Sequence, residues 1–167
     1  GNNLSFAARS VHNSSLGIQT AALLVGGNSD GATSGVQSYD GTNWTTTTSL
    51  PGARFTLATS GTQTAGMAFG GNDGSNIKNT SFNFDGSSWT ATPNLATARD
   101  NLGGSPSGSN TTSVAVGGRQ PGPANSSLTE EFTTSLTGTT AAAFSSGGNL
   151  NTARYALGKV GETIPTT

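Results

Sequence analysis

The chain contains no cysteine and one histidine, His12, among its 167 residues. The first absence excludes disulfides, thiolate metal sites and thiol nucleophiles. The second leaves too little for a histidine metal site or a histidine-driven triad within one chain, so His12 reads as a surface or strand residue. Charge is also scarce, with 7 Lys+Arg against 8 Asp+Glu and a net charge of -1. There is no basic surplus to hold nucleic acid. The longest apolar run, Ala21 to Val25, is far short of the ~18 residues of a membrane span. The opening residues, GNNLSFAAR, lack an initiator Met and have neither the basic start nor the apolar core of a secretory leader, which suggests a processed or partial chain. Apolar residues make up only 31%. Low apolar content signals disorder when net charge is high, and here it is nearly zero. Helix signals are missing too. No window combines apolar residues at helical spacing with caps.

Small uncharged residues fill the chain instead: 27 Thr, 25 Gly and 22 Ser. They disfavour helix interiors and suit short strands and tight turns. They are also ordered. Residues 54–95 contain an arginine, an apolar run closed by two glycines, an aromatic, an Asp-Gly, a tryptophan and a leucine. The same order runs from Arg9 to Leu50 and, more loosely, from Arg99 to Leu150. Arg9, Arg54 and Arg99 are evenly spaced, and the leucine stands four residues before the arginine at Leu50–Arg54, Leu95–Arg99 and Leu150–Arg154. At the N-terminus, Leu4 stands five before Arg9.

Within a unit the expected strands are local. Ala21 to Val25 is wholly apolar and ends at Gly26-Gly27; Ala65 to Phe69 ends at Gly70-Gly71; Val114 to Val116 ends at Gly117-Gly118. Such runs read as strands buried on both faces, and the glycine pairs permit a tight turn or close approach of a neighbour. Val36–Tyr39 and Ser81–Phe84 follow as third strands, Asp40-Gly41 and Asp85-Gly86 as hairpin turns, and Trp44 to Thr48 and Trp89 to Thr92 as fourth strands. Residues 9–16 form a weaker first strand. In the third unit Phe132 takes the place of Tyr39 and Phe84, and Phe144 that of the tryptophans. Four strands in about 45 residues, repeated, is the period of a β-propeller blade.

The expected organisation is one all-β domain over 1–167, with units 9–50, 54–95 and 99–150. Partial strands at 1–8 and 154–164 stand as a last and a first strand without their blades. No catalytic, metal or cofactor site is expected. Asp40 and Asp85 occupy equivalent turns and need no acid–base role. The oxygen-rich Asn28-Ser29-Asp30-Gly31 and Asn72-Asp73-Gly74 lack the EF-hand pattern. The glycine pairs are followed by no lysine and no helix, so they are not phosphate loops.

An apolar run ending in Gly-Gly, then an aromatic and a tryptophan, resembles the kelch repeat: LLVGG with Tyr39 and Trp44, then MAFGG with Phe84 and Trp89. The phrases NTARYALG (151–158) and GTQTAGMAFGG (61–71) resemble the degenerate kelch-like repeats of marine bacteriophage structural and fibre proteins. The resemblance implies three four-stranded antiparallel blades plus a partial fourth. In it Gly26, Gly27, Gly70, Gly71, Gly117 and Gly118 close second strands. Trp44, Trp89 and Phe144 pack between blades. Arg54, Arg99 and Arg154 bond carbonyls or acidic groups of an adjacent blade. Copper-oxidase activity, known on some kelch propellers, needs a cysteine this chain lacks. Trp89→Ala is then expected to cost roughly 3–5 kcal/mol.

The functional expectation is a non-enzymatic virion structural, fibre or decoration protein, serving assembly or host-surface attachment, virion-borne or extracellular. The alternative is a secreted or cell-surface module that binds carbohydrate or protein. Expected partners are further copies or missing blades of a longer chain, other virion proteins, and a host-surface glycan or protein. Nucleic acid and a membrane span are not expected. Because loops vary while strands stay fixed, contact is expected on the long loops 119–127 and 133–143, at Arg119, Gln120, Asn125, Leu136 and Thr139.

Overall fold

A computed structural model describes residues 1–6, 8–134 and 143–148. None of them is helical. Eleven strands form three antiparallel sheets: β1 (Ser15–Ile18), β2 (Ala21–Val25), β3 (Val36–Tyr39) and β4 (Trp44–Thr47); β5 (Ala58–Thr62), β6 (Ala65–Phe69), β7 (Ser81–Phe84) and β8 (Trp89–Thr92); and β9 (Thr112–Val116), β10 (Thr129–Thr133) and β11 (Ala143–Ser146). Each sheet is a meander in chain order. The sheets meet through β5, which packs on β1 and β2 of the first sheet and on β9 of the third.

The apolar runs and Asp-Gly turns place strands where the sequence reading does. Asp40 Oδ1 accepts from the amides of Asn43 (2.7 Å) and Thr42 (2.8 Å), and Asp85 Oδ1 from those of Ser88 (2.7 Å) and Ser87 (2.8 Å). These amides hold both carboxyls below the ordinary carboxylate range, Asn43 before Thr42 and Ser88 before Ser87. A carboxyl lowered in the folded chain adds stability above its unfolded pKa, about 4, and loses it as pH falls through the folded value. Thermal melting midpoints should therefore stay level down to about pH 5 and drop below about pH 4. The Asp40→Asn/Asp85→Asn variant should lose less over that acid limb. An unchanged limb would show that the turn carboxylates contribute nothing to it.

Both turns also set a cross-strand aromatic pair, and the third sheet carries an equivalent one. Tyr39 faces Trp44, Phe84 faces Trp89 and Phe132 faces Phe144, with ring centroids 4.9, 4.8 and 5.1 Å apart. Strand alternation sends Ala68, Phe82, Phe84 and Trp89 to the core shared with the first sheet, built on Leu16, Leu23, Val25 and Val36. Met67 and Phe69 go to the core shared with Leu102, Ala115, Phe132 and Phe144. The middle sheet is thus covered on both faces. Trp89 is only half-buried, and its indole donates to the Thr48 carbonyl at 3.0 Å. Half-burial lowers the expected cost of Trp89→Ala to about 2–3 kcal/mol. Denaturant unfolding at constant m-value measures it, and a cost below about 1 kcal/mol would remove the residue from the inter-sheet core.

Three expectations are corrected. The first strand is Ser15–Ile18 rather than 9–16. The third sheet has three strands among the described residues. Where a counterpart of β5 would lie, one bridge remains, Gly103 to Val116. Pro106 has no amide to extend it, and the Val114 amide donates to Ser105 Oγ instead (3.2 Å). Residues 1–6 form no strand. They lie against the first sheet through side-chain bonds: Asn2 Nδ2 donates to the Trp44 carbonyl (2.9 Å), and the Ser5 amide donates to Gln37 Oε1 (2.8 Å). Residues 154–164 lie outside the described residues.

Candidate functional site

Two constellations gather polar groups. One is the joint between successive units. The Gly71 amide donates to the Arg99 carbonyl (2.8 Å), and the Arg99 amide to that of Lys78 (3.1 Å), so the Arg99 backbone belongs to the second sheet. Its side chain reaches into the third. Nη1 donates to the carbonyls of Gly117 (2.8 Å) and Leu128 (2.9 Å), and Nη2 meets Glu130 Oε1 at 2.7 Å. Arg99 is 0% exposed and Glu130 5%. Burial pushes the guanidinium pKa down, and Glu130 opposes that shift. Arg54 repeats the arrangement: its carbonyl accepts from Gly27, and its Nη2 donates to Thr80 in the second unit. Arg99 therefore bonds two carbonyls and a carboxylate, and Arg54 a hydroxyl, of the sheet next to the one its backbone joins, all within the sequence units 99–150 and 54–95. The unit-to-unit tie runs through their backbones.

Gly70 lies beneath this tie at φ +67, and a Cβ there would stand 2.6 Å from the Arg99 carbonyl oxygen. Arg9 makes no such joint. It bridges Asn28, as Phe55 bridges Asn72 and Asp100 bridges Arg119, so Ala8 holds the position of Arg54 and Arg99. This accounts for the five-residue spacing from Leu4, because Leu4 to Ala8 restores the four. Without an arginine, the first unit carries Gln37 where the third carries Glu130. Gln37 accepts from the Ser5 amide as Glu130 accepts from the Ala96 amide (2.7 Å). In the second unit the matching linker residue is Pro51, which has no amide, and the strand residue is the apolar Phe82.

The other constellation is a cleft of about 340 Å³ between the loops that follow β6 and β9, lined by Asn72, Asn76, Ile77, Arg119, Pro121 and Gly122. The cleft brings one residue of the expected contact loop against the equivalent loop of the second unit. Arg119 Nε and Nη2 donate to the two oxygens of Asp100 at 3.0 and 2.6 Å. The Asp100 side chain is 1% exposed and that of Arg119 46%. Hydrogen bonding to Asp100 raises the guanidinium pKa further. Asn72 Nδ2 reaches Asp100 Oδ2 at 3.4 Å. Gln120 bonds Ser126 (3.1 Å), and Asn125 bridges Arg119 while staying exposed; both shape the loop without lining the cleft. Leu136, Thr139 and Arg154 lie outside the described residues.

Asp100 was missed by the sequence reading and Asn72 was read only as turn material; a line of residues joining the units was missed as well. Ser10, Thr56 and Asn101 share φ values of 58, 52 and 51. The Asn101 amide donates to Thr56 (2.9 Å) and the Thr56 amide to Ser10 (3.2 Å). Asn13 Nδ2 reaches the Leu102 carbonyl (2.9 Å), joining the first unit to the third. Their one signal was position: Ser10, Thr56 and Asn101 fall two residues after Ala8, Arg54 and Arg99.

No family profile matches the chain, and no curated protein matches it. Solved structures do, and 98 of their chains match it. One, titled "Structure of YjhT", superposes with a TM-score of 0.69 at 12% identity over 89% of this chain and 48% of its own. At that identity the likeness shows the fold alone. The chain spans about half the length of the structure it matches.

Proposed function

We propose that the chain is a non-enzymatic scaffold of kelch-like β-propeller blades, each described sheet being one blade, and that it serves as a virion structural or fibre protein in assembly or host-surface attachment. One observation carries this reading: the recurring polar chemistry sits where one unit meets the next. The Gly27–Arg54 and Gly71–Arg99 backbone ties and the repeated arginines join sheets to each other. In the solved structure that the chain matches, a comparable stretch is about half of the whole. Further units, from a second copy or a longer reading frame, would complete a ring of the usual four to eight blades. The full reading frame gives the blade count, and immunoblotting of purified particles tests the virion role. A compact, stable monomer at low concentration in sedimentation would argue against closure by a second copy. Absence from particles, together with a secretion signal upstream, would replace the virion role with the second reading, a secreted or cell-surface binding module. The Arg119 cleft is the feature that favours that reading.

A further inference from the structure

The three units allow an internal comparison. Features that the fold requires recur: the glycine pair and the cross-strand aromatics stand at equivalent places in each. The bridge below the cleft recurs in place but not in residue pair. It is Arg9–Asn28 in the first unit, Phe55–Asn72 in the second and Asp100–Arg119 in the third. The first two units fold without an ion pair there. The third buries a carboxylate, which costs desolvation free energy, and that carboxylate holds a guanidinium that is 46% exposed.

A guanidinium has five N–H donors in a planar fork. Asp100 takes one from Nε and one from Nη2. The other edge, Nη1 with the second Nη2 hydrogen, keeps the two-pronged geometry that matches a carboxylate. Arg119 is fixed before any ligand arrives, which reduces the entropy lost on binding. It is also the only cation among the residues lining the cleft. The fork therefore suits one planar monoanionic group better than a more highly charged phosphate. The Asn72 and Asn76 side chains add amides, and Ile77 and Pro121 add short apolar walls. From this we infer that the cleft binds a small hydroxylated carboxylate, its carboxyl on the free edge of Arg119 and its hydroxyls toward the asparagines. The Asp100–Arg119 pair is neutral overall, so recognition rests on the fork's shape rather than on net charge. The inference stands apart from the virion role, because binding is measured on the purified chain whatever particle or surface carries it.

The test is calorimetric titration of the full chain with D-glucuronate, glucose, acetate and inorganic phosphate, alongside Arg119→Lys and Asn76→Ala. Glucuronate should bind saturably, acetate more weakly and glucose not at all. Arg119→Lys keeps a cation for Asp100 but not both of its hydrogen bonds, so the melting midpoint should fall modestly; glucuronate should weaken about tenfold or more, because a point charge cannot replace the fork. Asn76→Ala changes an exposed side chain and should weaken glucuronate severalfold, separating the site from any folding effect. No heat with glucuronate up to about 50 mM, well above the millimolar range of a single bidentate contact, would overturn the proposal. Glucose binding as well as glucuronate, phosphate binding more tightly, acetate matching glucuronate, or Arg119→Lys binding within twofold of the parent would each do the same.

Discussion

Arg99→Ala is expected to lower the unfolding free energy by about 3–5 kcal/mol, the range found when one partner of a buried ion pair is removed. The loss has two parts. Glu130 is left as a buried carboxylate without its cation, its Oε2 still accepting from Ala96. The carbonyls of Gly117 and Leu128 lose their donor. The first unit already contains the uncharged form, Ala8 with Gln37. Arg99→Ala/Glu130→Gln copies it into the third unit, and Gln at 130 can still accept from the Ala96 amide. The double variant should recover at least about 2 kcal/mol of the loss, read as a coupling term in a double-mutant cycle. Additive losses would mean that the pair does not act as a unit, and the arginine would then be ordinary packing.

Gly70→Ala should cost more than about 3 kcal/mol, while Gly74→Ala costs about 1 kcal/mol. Both positions have positive φ, +67 and +98, so both carry the strain of the left-handed region. They differ in surroundings. An added Cβ at Gly74 meets nothing within 4 Å, whereas at Gly70 it meets the Arg99 carbonyl oxygen at 2.6 Å and Leu102 Cδ2 at 3.1 Å. That carbonyl is held by the Gly71 amide, so it cannot withdraw without loosening the tie between the second and third sheets. Urea unfolding of the two variants side by side gives the difference. Equal costs would show that the glycine pair serves the turn alone.

Strands β2, β3, β4, β6, β7 and β8 were legible in the sequence because their signals are local: an apolar run, a glycine pair, an Asp-Gly turn, an aromatic two strands wide. The inner strands were less legible. ATSGT and SLGI carry no clear periodicity, and their burial comes from the sheets stacked on either side. The arginine repeat misled by one residue at the N-terminus, where even spacing selected Arg9 and bridge geometry selects Ala8. Of the candidate cleft, Arg119 was reached through the length of its loop. Its partners were not. Asp100 is 19 residues from Arg119, Asn72 is 28 from Asp100, and no short motif joins them.

The sequence by itself determined an all-β chain of repeated units, since small β-compatible residues, turn dipeptides and their spacing act over a few neighbours at a time. Tertiary structure alone decided that the arginine backbones tie one unit to the next while their side chains bond within their own. It also decided that Glu130, Gln37 and Phe82 answer the presence or absence of an amide in the preceding linker, and that a buried Asp100 sets the fork of Arg119. Those outcomes depend on which groups are desolvated together, and burial is a property of the assembled sheets rather than of any stretch of chain.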